Sequence, residues 1–146
     1  MSSIAICVSL DFTHEIVDIK QKLEELGHEV HIPPTSQVIL RGEVSVDDIR
    51  HEKAEGVFAS RSIKDDAIRR YWNVIKDVDA ILVANYEKKG IKDYIGGNAL
   101  MEMGFAHVLN KKIYLLNGIP EMGYTDEIKA MQPVVLNGDL TVIDLK

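Results

Sequence analysis

The residues whose types and spacing are best suited to chemistry lie between Tyr94 and Phe105. Tyr94-Ile-Gly-Gly-Asn98 is a small, glycine-containing turn, and Glu102 follows four residues after Asn98. From Ala99 to Leu109 the chain is apolar nearly all round, as in a helix packed between a sheet and its neighbours, and Glu102 is the one carboxylate in that run. Burying an ionised carboxylate is costly unless it is paired or hydrogen-bonded. With Asn98 as N-cap, Glu102 sits at i+4 on the same face, looking toward the loop crevice near the positive end of the helix dipole. Gly96 and Gly97 let a ligand approach free backbone N–H groups closely. The competing explanation is a glutamate that pairs with a lysine or reaches solvent past the helix edge, and local physics leaves both open.

The elements that must position this segment alternate between strand and helix. Ile4–Val8 reads as a buried strand ending at Ser9-Leu10-Asp11. Ile16, Ile19, Leu23 and Leu26 then mark a helix within Thr13–Leu26, stopped by Gly27. Val30–Ile32 is a second strand, closed by Pro33-Pro34, so the opening is a parallel crossover unit. Residues 33–60 are the least regular stretch. A short helix is expected at Val46–Glu55, with Ser45 and Asp48 as a capping box and Gly56 as a stop. Ser62 and Asp65 suggest a second capping box, before a helix whose face carries Ile63, Ala67, Tyr71, Val74 and Val78. Strands are expected at Ala80–Ala84, Ile113–Leu116 and Leu140–Ile143, and a short helix at Thr125–Met131. The pattern predicts one α/β domain, doubly wound in the Rossmann or flavodoxin manner, with about five mostly parallel strands and helices on both faces.

In such a sheet, ligands bind beyond the carboxyl ends of the strands. Those ends carry Ser9 and Asp11, Asn85 and Asn117, which makes them candidate ligand contacts, although turns favour these residue types anyway. Ser60-Arg61-Ser62 is a further candidate, with Arg61 able to hold a phosphate. Asp79 opens the third strand, where a strand-entry turn is the ordinary explanation. There is no G-x-G-x-x-G or Walker fingerprint. The histidines have no metal-ligand spacing: His28 and His31 point to opposite faces of a short strand. Cys7, in the first strand, reads as core rather than nucleophile.

Composition bounds the partners. The chain has 146 residues, 46% of them hydrophobic, and this suffices for one core. Its formal net charge of −6 argues against duplex nucleic acid or an anionic membrane as partner. A single cysteine, no secretory h-region and only short apolar runs make a cytoplasmic location the expectation.

Tyr94-Ile-Gly-Gly-Asn-Ala-Leu-Met-Glu-Met-Gly-Phe-Ala106, followed by Asn110-Lys-Lys-Ile-Tyr-Leu-Leu-Asn117, resembles the nucleoside 2-deoxyribosyltransferase superfamily, which includes the deoxynucleoside 5′-monophosphate N-glycosidases. Glu102-Met-Gly-Phe-Ala106 matches its Glu-x-Gly-x-Ala core, Asp79-Ala-Ile-Leu-Val83 looks like its Asp-leading third strand, and Leu26-Gly-His-Glu-Val30 is similar to its opening unit. Two positions depart from the pattern. Ser9-Leu10-Asp11 replaces a Gly-Pro turn, and Gly96 stands where transferases often carry a second acid, with Asp93 nearby but offset. The resemblance implies cleavage or transfer of an N-glycosidic bond of a (deoxy)nucleoside or its 5′-monophosphate, with Glu102 as nucleophile. It further implies that Asp79 orients that nucleophile or holds base or sugar, that Tyr94, Gly96, Gly97 and Asn98 line the pocket, that no metal or organic cofactor is needed, and that the protein is a homo-oligomer. The alternatives are a non-catalytic nucleotide-binding or sensing domain and a glycohydrolase acting on NAD or another nucleotide.

Overall fold

The computed structural model describes residues 2–144. Five parallel strands form one sheet in the order β2-β1-β3-β4-β5. They are β1 (Ser3–Cys7), β2 (Glu29–His31), β3 (Ala80–Val83), β4 (Lys112–Leu115) and β5 (Val134–Val135). This is the flavodoxin-like order, with the switch point between β1 and β3. Parallel strands need helical crossovers, so both faces of the sheet are covered and the central strands β1 and β3 read as nearly continuous apolar runs.

Side-chain alternation along the strands sorts the core into two halves. Ile4 and Ile6 of β1 and Leu82 of β3 join Ile16 and Leu23 of α1 (Ile16–Glu25) on one face. Ala5, Cys7, Ile81 and Val83 join the opposite face, against α5 (Ala67–Ile75) and α6 (Gly97–Val108). Fully burying an Ile or Leu side chain contributes about 1.5–3 kcal/mol, so these two layers dominate the stability of the sheet. The same alternation turns Cys7 toward the helix that carries Glu102.

The irregular segment folds on a small core of its own. It holds α2 (Pro34–Leu40), α3 (Val46–Ala54) and α4 (Phe58–Asp65), and Leu10, Ile39, Val44 and Ile49 pack together beneath them. Pro34 at the first helical position of α2 pre-sets its backbone angle there. The Ser45–Asp48 capping box is present in both directions, at 3.0 and 2.9 Å.

Three sequence expectations are corrected. Ser62 caps nothing: it lies inside α4, which begins at Phe58. The predicted single helix is broken at Asp66, whose φ of 48° is left-handed, and Ile63 on the α4 side of the break is 78% exposed rather than on a buried face. The terminal segment Leu140–Val142 is a 3-10 turn, and the fifth strand is the two-residue Val134–Val135 instead. Finally, α7 (Thr125–Ala130) sits where a short helix was expected.

No helix of the described residues is long and apolar enough to cross a membrane.

Candidate functional site

A cavity of about 320 Å³ opens at the carboxyl end of β1, beside the switch point. Its floor and one wall come from α6. The helix starts two residues earlier than expected: Gly96, with extended backbone, is the N-cap, and Leu100 N donates to Gly96 O at 2.9 Å. Asn98 is therefore in the first turn and is not the cap. Gly96, Gly97, Asn98 and Glu102 all line the cavity. A Cβ on Gly96 would lie 3.2 Å from Tyr94 Cε1, so the tyrosine ring occupies the space that a second acid would need. Asp93, the offset candidate, turns away: its carboxylate packs against Gly118, 2.8 Å from where a Cβ there would stand.

Glu102 lines the cavity and is half-buried, in apolar surroundings that penalise its charge. Desolvation pushes its pKa from 4.5 up to about 8, and a hydrogen bond from the Cys7 thiol offsets only part of that rise. The thiol itself is pushed well up, first by burial and then by the Glu102 charge. Tyr71, from α5, completes this buried group; its hydroxyl donates to the Ile6 carbonyl of β1. Burial and the nearby Cys7 and Glu102 hold Tyr71 well above the usual phenol value.

Four cations also line the cavity. Arg50 and Lys53 come from α3, and Lys88 and Lys89 from the loop after β3. Lys88 Nζ lies 2.7 Å from Ser9 Oγ and 3.2 Å from Asp11 Oδ2. Arg50 Nε lies 3.3 Å from Asp11 Oδ1. Burial alone would raise the Asp11 pKa; Lys88 and then Arg50 outweigh it and hold the carboxyl below its ordinary value. Lys53 is pushed down by desolvation and by repulsion from Lys88 and Lys89. The ammonium of Lys53 sits 5.0 Å from the Phe58 ring centroid, and those of Lys88 and Lys89 sit 5.7 and 5.9 Å from that of Tyr94.

Of the sequence-predicted site residues, the fold brings together Ser9, Asp11, Tyr94, Gly96, Gly97, Asn98 and Glu102. Four others lie elsewhere. Asp79 is at the amino end of β3, bonded to Ser3 N at 2.8 Å. The four residues of β3 separate it by roughly 13 Å, at about 3.3 Å per residue, from the strand end near Glu102. It therefore neither orients that carboxylate nor meets anything bound against it. Arg61 faces Glu52, with Nε–O distances of 2.8 and 2.9 Å, and does not reach the cavity. Asn85 is a buried clasp. Its amide donates to Gly118 O at 2.7 Å and Asp93 O at 3.2 Å, and its carbonyl accepts from Asn117 N at 3.0 Å. Asn117 returns a bond to Asn85 O at 3.0 Å, so both asparagines are spent on joining strand ends.

Sequence reasoning missed Arg50, Lys53, Lys88, Lys89 and Tyr71 as cavity residues. Lys88-Lys89-Gly90 lies in the loop that leaves the carboxyl end of β3, and that position was a usable signal. Arg50 and Lys53 are three apart on one helix, but nothing local says that α3 folds back against the turn after β1.

No protein-family model, curated protein or solved structure matches the chain.

Proposed function

We propose that this cavity cleaves or transfers the N-glycosidic bond of a (deoxy)nucleoside or its 5′-phosphate, with Glu102 as the nucleophile. The observation that carries the reading is a carboxylate with no cation paired to it among the described residues, desolvated and lining a cavity of about 320 Å³ from the first turns of an apolar helix. The Glu-x-Gly-x-Ala pattern and the glycine turn agree with it.

In this mechanism a Glu102 oxygen attacks C1′ while the C1′–N bond breaks. The electron pair leaves with the base, which takes a proton from water. A developing positive charge on the sugar is stabilised by the carboxylate that attacks it, and a glycosyl ester results. Water then adds at C1′, releasing the sugar and restoring the carboxylate; an acceptor base nitrogen in place of water gives transfer. In the free site Glu102 holds a proton at neutral pH. With a pKa of about 8, only about a tenth of the molecules carry the reactive anion at pH 7. The cost of desolvation makes that anion more nucleophilic, and no step calls on a metal or organic cofactor.

Asp79 has no part in this version of the reaction, and the proton for the departing base comes from water. A homo-oligomer is part of the proposal and is checked by sedimentation. Trp72, 38% exposed, is available for such a contact, whereas Tyr71, 2% exposed, belongs to the core.

The test is incubation of the protein with a panel of nucleosides and 5′-monophosphates, with and without a second base, and chromatographic detection of freed bases. Base release without acceptor identifies a hydrolase, and exchange alone a transferase. If wild-type protein turns over no member of the panel, the catalytic reading fails and a binding or sensing role takes its place.

A further inference from the structure

We infer that Lys53 and Lys89, with Lys88, Arg50 and the Ser9 hydroxyl, form a phosphate subsite, so that the cavity takes a nucleotide in preference to a free nucleoside. This rests on the glycosidic reading of the same cavity and narrows its substrate class.

The first support is charge placement. The chain carries 23 acidic against 17 basic residues, so an arbitrary surface patch is acidic on average. The cavity wall reverses this: Arg50, Lys53, Lys88 and Lys89 face two carboxylates, Asp11 and Glu102. The cations converge from α3 and from the loop after β3, two elements far apart in sequence. Convergence of like charge destabilises a fold unless something offsets it.

The second support is pairing. Asp11 serves both Lys88 and Arg50, and Asp47 pairs Arg50 a second time at 3.3 Å, so the charge left without a partner in the cavity is that of Lys53 and Lys89. Among the described residues, no carboxylate lies within 4 Å of Lys53 or Lys89. Ordinary surface lysines are also unpaired, but they stand apart in water. Lys53 and Lys89 are exposed too, but they line one cavity with Lys88, whose side chain is only 16% exposed, and Lys53 feels the repulsion of both loop lysines. A bound phosphate dianion would relieve this repulsion and take charge-assisted hydrogen bonds from the ammonium groups.

Calorimetry at low ionic strength tests the subsite without turnover. Glu102→Gln protein is titrated with the common deoxynucleosides, their 5′-monophosphates and inorganic phosphate, and then compared with Glu102→Gln carrying Lys53→Gln and Lys89→Gln. The expected result is that a monophosphate binds roughly ten- to a hundredfold tighter than its nucleoside. That advantage shrinks with added salt and is lost in the lysine variant, while nucleoside affinity is unchanged. Equal binding of nucleoside and monophosphate, retention of the advantage without the two lysines, or no phosphate-dependent binding at all would overturn the inference. The two proposals fail separately. Phosphate-dependent binding with no base release by wild type removes the glycosidic reading alone, and base release from nucleosides with no gain from phosphate removes the subsite alone.

Discussion

The Cys7 thiol at the end of β1 faces the Glu102 carboxylate on α6, and it is the one group that holds the Glu102 pKa down against desolvation. The pairing follows from strand periodicity, which turns Cys7 onto the α5–α6 face of the sheet, and from the position of Glu102 along α6. Removing the thiol with Cys7→Ala is expected to raise the Glu102 pKa further above 8, whereas Cys7→Ser, which keeps a donor, restores most of it. A carboxyl-carbon NMR titration of Glu102 reads this directly. An unchanged titration in Cys7→Ala would remove the thiol from the site. Cys7 is itself fully buried with its thiol pushed up, so alkylating reagents are expected to leave it unmodified until the protein unfolds.

The raised pKa of Glu102 ties its ionisation to stability. Between its ordinary value of 4.5 and about 8 the folded protein holds a proton that the unfolded chain has released. The stabilising contribution of Glu102 is therefore fullest below the unfolded value and is lost as pH rises through about 8. Glu102→Gln removes this dependence. Denaturant unfolding at pH 5 and pH 9 is expected to show the wild type losing more stability than Glu102→Gln over that interval, and parallel losses would contradict the buried carboxyl.

For catalysis the same shift acts in the opposite direction. The nucleophile must be ionised, so kcat/KM is expected to climb with pH and level off above an apparent pKa near 8. A rate that falls through this range would assign Glu102 the role of an acid.

Asn85 is predicted to matter for stability first. Asn85→Ala leaves the Gly118 and Asp93 carbonyls and the Asn117 N–H without their partner, at a cost of about 2–4 kcal/mol. Chemical denaturation measures it. A neutral substitution would mean that the clasp contributes nothing. Asp79→Asn, by contrast, is expected to leave base release unchanged, since Asp79 lies at the other end of β3.

What was legible in the sequence was the sheet and the glycine turn, because both are written locally. Apolar runs such as Ala80–Val83 admit few other fates, and Glu102 stands out as one carboxylate in an apolar helix. The helix break at Asp66 was not legible, since the capping pattern Ser62–Asp65 is as good locally as the real one at Ser45–Asp48. The fifth strand was missed because two residues carry no periodicity. Asp79 and Arg61 were read as site residues from type and neighbourhood in the chain. Only the strand direction, for Asp79, and the Glu52 partner, for Arg61, decide against them. The cationic cluster needed the docking of α3 against the turn that follows β1, which Leu10, Ile39, Val44 and Ile49 bring about through contacts distant in sequence.

The most direct test of Glu102 as nucleophile is to trap the glycosyl ester. Wild-type protein reacting with a turned-over substrate is quenched in acid, digested and examined by mass spectrometry. The account predicts a glycosyl mass increment on the peptide containing Glu102, mapped to that residue and absent from Glu102→Ala, which also releases no base. Turnover with the increment on another residue, or full activity in Glu102→Gln, would contradict it.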